Sequence, residues 1–169
     1  KMNWKWCLSI LGSSVYKSFV FVMKLLNRYR IIYDKATGEP YLERFYIFLR
    51  DRDKSPFPFN IFLHRFIRSD TDELHDHPWA FRTLILSGGY WEHTEEGTYW
   101  RGAGSYRYAS ADTFHRVELD ESNPRCWTLF VPSKAYKDWG FKTAKGWVHH
   151  EEYFNSMLSK YWAENSEWS

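Results

Sequence analysis

The stretch LHDHPWAFRTLILSGGY, residues 74–90, is the most informative part of this sequence. It places His75 and His77 two residues apart, just before a run of alternating apolar side chains. Side chains two apart on an extended strand project from the same face, so both imidazoles should enter one cavity while Asp76 points the other way. Such a pair can hold a metal, bind an anion or form polar surface, and the rest of the sequence must decide.

Short apolar segments separated by turn residues surround this stretch. The segments at 29–34 and 41–49 flank the loop KATGEP and are typical of a β-hairpin. Further strands are predicted at residues 59–67, 81–93, 98–102, 104–110, 113–119 and 125–132. Strands of this length at near-regular spacing, without long helices between them, favour an all-β antiparallel sandwich or barrel.

A helix is predicted at each end of this series. Within residues 6–26 apolar side chains recur at spacings of three and four, which indicates an amphipathic helix docked on the domain. Lys17 and Gly12 interrupt the run and argue against a membrane span. Residues 151–162 predict a short closing helix. We therefore divide the chain into a helical extension, 1–28, and one barrel domain, 29–169, and expect residues 1–22 to be dispensable for folding of the barrel.

The composition restricts the classes of function. The chain has 169 residues, a formal net charge of +2 and 21% aromatic residues. A charge this small and dispersed argues against nucleic acid as a partner. Two cysteines, Cys7 and Cys126, do not make a disulfide framework, so a reducing cytoplasm is the expected location. The aromatic residues suit either the interior of a small barrel or a ligand pocket.

A metal site needs a third ligand, and His115 is the best candidate. It lies in the predicted strand TFHRVEL, where Val117 and Leu119 share its face and indicate that this face points inward. A lone histidine on an apolar strand is more often a core residue than a ligand. Three inward imidazoles in a small barrel, however, would be costly unless something coordinates them.

With these residues in view, the chain resembles the cupin superfamily, small jelly-roll barrels that hold a metal through two short motifs. In the first motif, Gly-x5-His-x-His-x3–4-Glu-x6-Gly, the matching residues are His75, His77 and Gly89. In the second, Gly-x5-Pro-x-Gly-x2-His-x3-Asn, they are Gly104 and His115. The replaced positions are Ser69 and Arg82 in the first motif, and Ser110, Asp112 and Leu119 in the second. The resemblance covers about residues 59–132 and implies a cupin-like jelly-roll barrel.

The resemblance implies a metal bound by His75, His77 and His115. Arg82 falls where most metal cupins have a glutamate ligand, and a three-histidine set is what thiol dioxygenase-type cupins use for Fe(II). Fe(II) is therefore the expected cofactor, with Zn, Mn or Ni as alternatives. His64 and Asp76 are expected to support the ligands from behind.

Arg82 would then bind an anionic substrate, because a guanidinium recognises carboxylate or phosphate with two parallel hydrogen bonds. Its alternative role is a salt bridge near the barrel mouth. Tyr106 and Tyr108 share a strand face and could donate hydrogen bonds to the substrate, although inward tyrosines are usually core residues.

Three functions follow from the resemblance. The first is an Fe(II) oxygenase, dioxygenase-like, acting on a small anionic molecule. The second is a sugar isomerase or epimerase in which a histidine transfers a proton. The third is a non-catalytic module that binds a small ligand. Cupins often pair through their sheet edges, so a homodimer is compatible with each function.

Overall fold

Ten strands and two helices make up the part of the chain that the computed structural model describes, namely residues 4–35, 37–51, 55–70 and 73–165. The strands are β1 (Tyr29–Tyr33), β2 (Pro40–Tyr46), β3 (Phe62–Phe66), β4 (Phe81–Thr94), β5 (Gly97–Gly102), β6 (Tyr106–Ala109), β7 (His115–Leu119), β8 (Cys126–Pro132), β9 (Gly140–Thr143) and β10 (Gly146–His149). The helices are α1 (Trp4–Leu25) and α2 (His150–Asn165). The predicted fold class, an all-β barrel with a helix at each end, is confirmed. The outermost residues of the two predicted domains, 1–3 and 166–169, lie outside the described residues.

Antiparallel pairing joins the strands in the order β1-β2-β3-β8-β4-β5, and β6 and β7 also pair with β4. The long strand β4 connects two parts of this arrangement. Its first half pairs with β6 and β8, and its second half pairs with β5 and β7. The hairpin β9–β10, which the sequence did not predict, joins the second part through the residues around His75.

β4 bends at a glycine. The register with β8 shifts between Ile85 and Ser87, and Gly88 follows with φ 74°. A side chain at Gly88 would overlap the backbone carbonyl of Arg125, the residue just before β8. Because only glycine tolerates both the left-handed conformation and the close approach, this position lets one strand serve both parts of the sheet.

Side-chain alternation places the core. On β3, Phe62, His64 and Phe66 are buried, and on β7 the buried residues are His115, Val117 and Leu119. Buried residues of β2, β4 and β8 complete a cluster that contains Leu42, Ile85, Tyr90 and Cys126. The inner faces of these strands surround the cavity described below.

Helix α1 packs on the outer face of β2, β3 and β8. The Phe19 ring lies 4.9 Å from that of fully buried Phe45, and the Tyr16 hydroxyl donates to the carboxylate of Glu43 at 2.6 Å. Arg65 pairs with the same carboxylate at 2.6 Å. Tyr16 and Phe19 fall within residues 1–22, so a chain that begins at Met23 would lose these contacts, and the dispensability of that segment stays a prediction. Within the described residues, neither helix combines the length and apolar character that crossing a bilayer requires.

The Tyr16–Glu43 contact makes stability depend on pH. Burial alone raises the pKa of Glu43, but hydrogen bonds from Tyr16, Tyr29 and Arg65 outweigh it and hold the pKa below its ordinary value of 4.5. A carboxylate with a lowered folded-state pKa stabilises the fold above its unfolded-state pKa, and this contribution is lost as pH falls through the folded value.

We expect Tyr16→Phe to lower the free energy of unfolding by about 2 kcal/mol at pH 7, because the lost hydrogen bond has a charged acceptor. The difference from wild type should shrink as the pH falls through the lowered pKa of Glu43. Thermal melts between pH 3 and pH 7 measure it, with Tyr106→Phe as the matched control because Tyr106 is 61% exposed. A difference that is equal at both ends of this range would contradict the assignment.

Candidate metal centre

His75 sits between two strands although its own segment is not a regular strand. It forms isolated bridges to His115 on β7 and to Phe141 on β9. The backbone N–H of His75 donates to the carbonyl of His115 at 3.0 Å, and the reverse hydrogen bond has the same length. Two residues later, the N–H of His77 donates to the carbonyl of Ala111 at 3.3 Å. The backbone therefore fixes the first two histidines beside the third.

The three imidazoles meet at one point. The Nε2 atoms of His77 and His115 are 2.8 Å apart, and the His75 ring lies 5.1 Å from the His77 ring and 5.4 Å from the His115 ring. One nitrogen from each of the three residues lies within 4.8 Å of the others, so the cluster could hold a metal ion. The structure thus brings together the histidines that the sequence singled out.

A buried carboxylate orients His115. Glu92 on β4 is 1% exposed, and its Oε1 lies 3.0 Å from Nδ1 of His115. With the proton on Nδ1, this nitrogen donates to Glu92 and Nε2 presents its lone pair to the cluster. Glu92 also forms ion pairs with Arg101 at 2.9 Å and with Arg107, which compensate its buried charge.

His75 has a similar arrangement behind it. Its Nδ1 lies 3.4 Å from Oδ2 of buried Asp70 and 3.3 Å from the carbonyl oxygen of Glu73. Both neighbours accept hydrogen bonds, so they favour a proton on Nδ1 and leave Nε2 as the ligand atom. Two of the three imidazoles are thus supported by carboxylates in the way that metal-binding histidines usually are.

Two of the histidines are held neutral. Burial, together with the nearby His115 and His75, keeps the pKa of His77 well below its ordinary value. Burial and the neighbouring His75 and Arg107 do the same to the pKa of His115. Because only neutral imidazole binds a metal, this electrostatic environment prepares the nitrogens for coordination.

Asp76 supports the site through the backbone. It is 2% exposed and points away from the cluster, as the strand alternation predicted. Its Oδ1 accepts the N–H of Gly140 at 2.7 Å, and its Oδ2 accepts a hydrogen bond from Lys137 at 2.7 Å. Asp76 therefore anchors the segment between His75 and His77 to β9.

The position next to the histidines belongs to Phe81 and not to Arg82. Phe81 is 4% exposed, and its ring lies 5.3 Å from that of His77 and 5.4 Å from that of His115. Arg82, the next residue on β4, points outward and is exposed, and its guanidinium lies 5.1 Å from the ring centre of Tyr108. The expectation that Arg82 faces the cavity is therefore wrong, because alternation along β4 turns it to the opposite face.

Tyr106 and Tyr108 are also on the outer face. Their side chains are 61% and 55% exposed, and they pair across β4 with Leu84 and Arg82. Neither tyrosine lines the cavity. The expectation that these two tyrosines contact a substrate in the cavity is therefore wrong, as it is for Arg82.

A cavity of about 310 Å³ adjoins the histidines. Much of its wall is apolar or aromatic, and polar side chains interrupt this lining at several positions. Its wall includes His75, His77, His115, Arg44, His64, Phe81, Thr128, Phe130, Trp139 and Phe141. A cavity of this size and lining suits a small molecule.

His64 lines this cavity but was expected to support the metal ligands. It is 3% exposed, its ring lies 5.0 Å from that of Phe130, and its Nε2 accepts a hydrogen bond from Arg44 at 3.0 Å. Burial, and secondarily the charge of Arg44, hold its pKa well below the ordinary value. Its hydrogen-bond partner is thus an arginine that lines the cavity, and no sequence pattern predicted that pairing.

No protein-family model and no curated protein matches this chain. Several solved structures share its fold. A cupin 2 conserved barrel domain protein from Rhodopseudomonas palustris is 15% identical, with a TM-score of 0.54 over 70% of this chain and 80% of that one. A cupin-superfamily sugar phosphate isomerase from Silicibacter pomeroyi is 12% identical, with a TM-score of 0.51 over 73% and 88%. A structure of DMSP lyases is 15% identical, with a TM-score of 0.53 over 68% and 62%.

Proposed function

We propose that this chain is a mononuclear metal protein in which His75, His77 and His115 hold one divalent ion beside a small-molecule cavity. The observation that carries the proposal is the convergence of three imidazole nitrogens within 4.8 Å, two of the rings being backed by buried carboxylates. Three imidazoles that converge inside a barrel would be costly unless something coordinated them.

The donor set fits a divalent ion. Nitrogen ligands at about 2.1 Å from an ion lie roughly 3.0 to 3.4 Å from each other, depending on the coordination geometry. The Nε2 atoms of His77 and His115 are 2.8 Å apart. Moving these two atoms further apart by well under about 1 Å would therefore admit the ion. Neutral imidazole binds Fe, Zn, Cu and Ni alike, so the ligand set limits the choice to metals of this kind but does not select one of them.

Among metal-dependent activities, we propose an Fe(II) oxygenase acting on a small anionic molecule. An iron ion held by three histidines would supply redox chemistry and open coordination positions. Phe81, His77 and His115 would form one side of the cavity, and the aromatic wall would exclude water and limit the size of the substrate.

Metal analysis of the purified protein, followed by O₂ uptake measurements, tests this activity. The iron-loaded protein is incubated with small thiols and carboxylates, and the zinc-loaded protein is the control. Iron with substrate-dependent O₂ consumption is the expected result. Full metal occupancy without O₂ consumption on any substrate would contradict the oxygenase proposal and leave the metal site standing.

An isomerase or epimerase is the second candidate, and His64 is the observation that favours it. This buried, neutral imidazole lines the same cavity as the three-histidine cluster, where it could transfer a proton. The fold is also that of a sugar phosphate isomerase. Exchange of substrate C–H hydrogens with D₂O on a panel of sugar phosphates, lost in His64→Gln, would support it. Absence of metal and of any turnover would favour the non-catalytic binding module.

Two neighbouring substitutions test which β4 residue faces the metal. Phe81→Glu should place a carboxylate beside His77 and His115, so zinc should raise its melting temperature more than that of wild type. Arg82→Glu should respond to zinc as wild type does, because Arg82 is on the outer face. Thermal melts with and without zinc measure both responses. A larger zinc response in Arg82→Glu than in Phe81→Glu would reverse the assignment.

A further inference from the structure

A row of polar side chains crosses the inner face of the sheet beside the cavity. Arg44 on β2 pairs with His64 on β3, and His64 pairs with Thr128 on β8. All three residues line the cavity that the three metal-cluster histidines also line. We call Arg44, His64 and Thr128 the polar row.

The contacts within the polar row fix its hydrogen-bonding character. Nε of Arg44 donates to Nε2 of His64 at 3.0 Å, so neutral His64 carries its proton on Nδ1 and offers a donor there. The Arg44 guanidinium also lies 4.7 Å from the ring centre of Phe62, which holds it against the sheet. The row therefore combines one fixed positive charge with a neutral donor.

Thr128 supplies a second, independent observation. Its side chain is 1% exposed, and its Oγ1 has no hydrogen-bond partner among the described residues. An unpaired buried hydroxyl costs roughly 1–3 kcal/mol. Valine has nearly the same shape and would avoid that cost. The presence of a hydroxyl here therefore indicates that it bonds to an atom of a ligand.

Other charged groups of the cavity wall have contacts of their own. Asp70 lies at Nδ1 of His75, and Asp34 accepts a hydrogen bond from the backbone N–H of Thr37 at 3.0 Å. Lys35 lies over the rings of Trp139 and Phe154. Arg44 is the basic residue that lies in one row with His64 and Thr128.

We infer that the polar row binds the carboxylate of a small ligand whose other end reaches His75, His77 and His115. The metal contact rests on the proposed function, whereas the carboxylate contact does not. One guanidinium, one neutral imidazole and one hydroxyl match a single negative charge and two acceptor oxygens. A phosphate dianion would concentrate two negative charges at a row that carries one positive charge, whereas a dicarboxylate places its second charge at the three histidines.

Calorimetric titration with the unbranched dicarboxylates from malonate to adipate tests the inference. Each is titrated into the chelator-treated protein and into the zinc-loaded protein, with inorganic phosphate and succinamide as comparison probes. We expect one chain length to bind most tightly to the zinc-loaded protein and to keep measurable affinity for the chelator-treated protein. Inorganic phosphate and succinamide should bind at least about 10-fold more weakly, since each mismatch forfeits a charge-assisted hydrogen bond.

Variants of the polar row separate binding from folding. Arg44→Met should weaken dicarboxylate binding by more than about 10-fold, and Thr128→Val by about 5-fold. Thr128→Val should melt at the same or a higher temperature than wild type, because it removes an unpaired buried hydroxyl. Zinc affinity should change far less than dicarboxylate affinity in both variants, since Arg44 acts on His77 only through its charge. Arg82→Met is the matched control and should bind like wild type, since Arg82 faces outward.

Three outcomes would overturn the inference: no dicarboxylate binding to wild type, full affinity in Arg44→Met and Thr128→Val, or tighter binding of inorganic phosphate. Failure of the proposed function gives a different result. In that case zinc does not bind, while dicarboxylates still bind to the chelator-treated protein and still lose affinity in Arg44→Met.

Discussion

Replacement of His115 by alanine is expected to abolish stable metal binding. His115 supplies one of three converging nitrogens, and Glu92 holds its ring in the ligand orientation. Loss of a hydrogen-bond partner behind a ligand typically costs 10- to 100-fold in metal affinity, so loss of the ligand itself should exceed about 100-fold. His75→Ala and His77→Ala should behave in the same way. Zinc titration with a competing chromophoric chelator measures each affinity.

His93→Ala is the matched control for these variants. His93 lies on β4, where its Nε2 pairs with Glu118 at 2.9 Å and its Nδ1 contacts the Thr98 hydroxyl at 3.0 Å, away from the cluster. Its removal should leave zinc affinity unchanged. Unaltered affinity in all three cluster variants, or an equal loss in His93→Ala, would show that the metal binds elsewhere.

The second large effect is expected at Glu92. Its carboxylate is 1% exposed and meets Arg101, Arg107 and His115. Glu92→Gln preserves the shape and an acceptor for His115, but leaves two arginines without their buried counter-charge. Breaking a buried ion pair costs about 3–5 kcal/mol, so the melting temperature should fall by roughly 6–20 °C. Zinc affinity should also fall by about 10- to 100-fold.

Glu118→Gln gives the comparison for an exposed carboxylate. The Glu118 side chain is 45% exposed and pairs with His93 and Arg116. Such pairs contribute about 0–1 kcal/mol, so its melting temperature should change by no more than roughly 4 °C. Equal losses in the two variants would mean that Glu92 is not the buried counter-charge of its arginines.

Local alternation explains what the sequence revealed. The His-x-His spacing put His75 and His77 on one side and Asp76 on the other, and the apolar partners of His115 marked an inward face. These inferences needed only the two-residue period of extended backbone. The strands from β1 to β8 followed from the same period together with their turn residues.

The error at Arg82 came from motif spacing. A gap of three or four residues after His77 allows Phe81 or Arg82, and the two point in opposite directions. Phe81, Thr83 and Ile85 form an alternating buried series on β4, which makes Arg82 an outward residue. Applied to β4, the alternation that placed the histidines would have chosen Phe81.

Other site residues could not have been predicted. The irregularity after Ile85 and the bend at Gly88 change the inward parity on β4 from odd to even positions, which is how Glu92 becomes buried. A charged residue in a strand usually indicates the solvent face, so Glu92 and Arg44 resembled surface residues. The short hairpin β9–β10 carries lysines and glycines and lacks a clear apolar alternation.

The double pairing of β4 has a consequence for how the molecule comes apart. One half of this strand is hydrogen bonded to β6 and β8 and the other half to β5 and β7, with no break in the chain at Gly88. If one half of β4 detaches from its partner strands, the other half loses the support of a continuous strand. The two parts of the sheet should therefore unfold as one cooperative unit, and hydrogen exchange should give the same free energy of opening for backbone amides on both sides of Gly88.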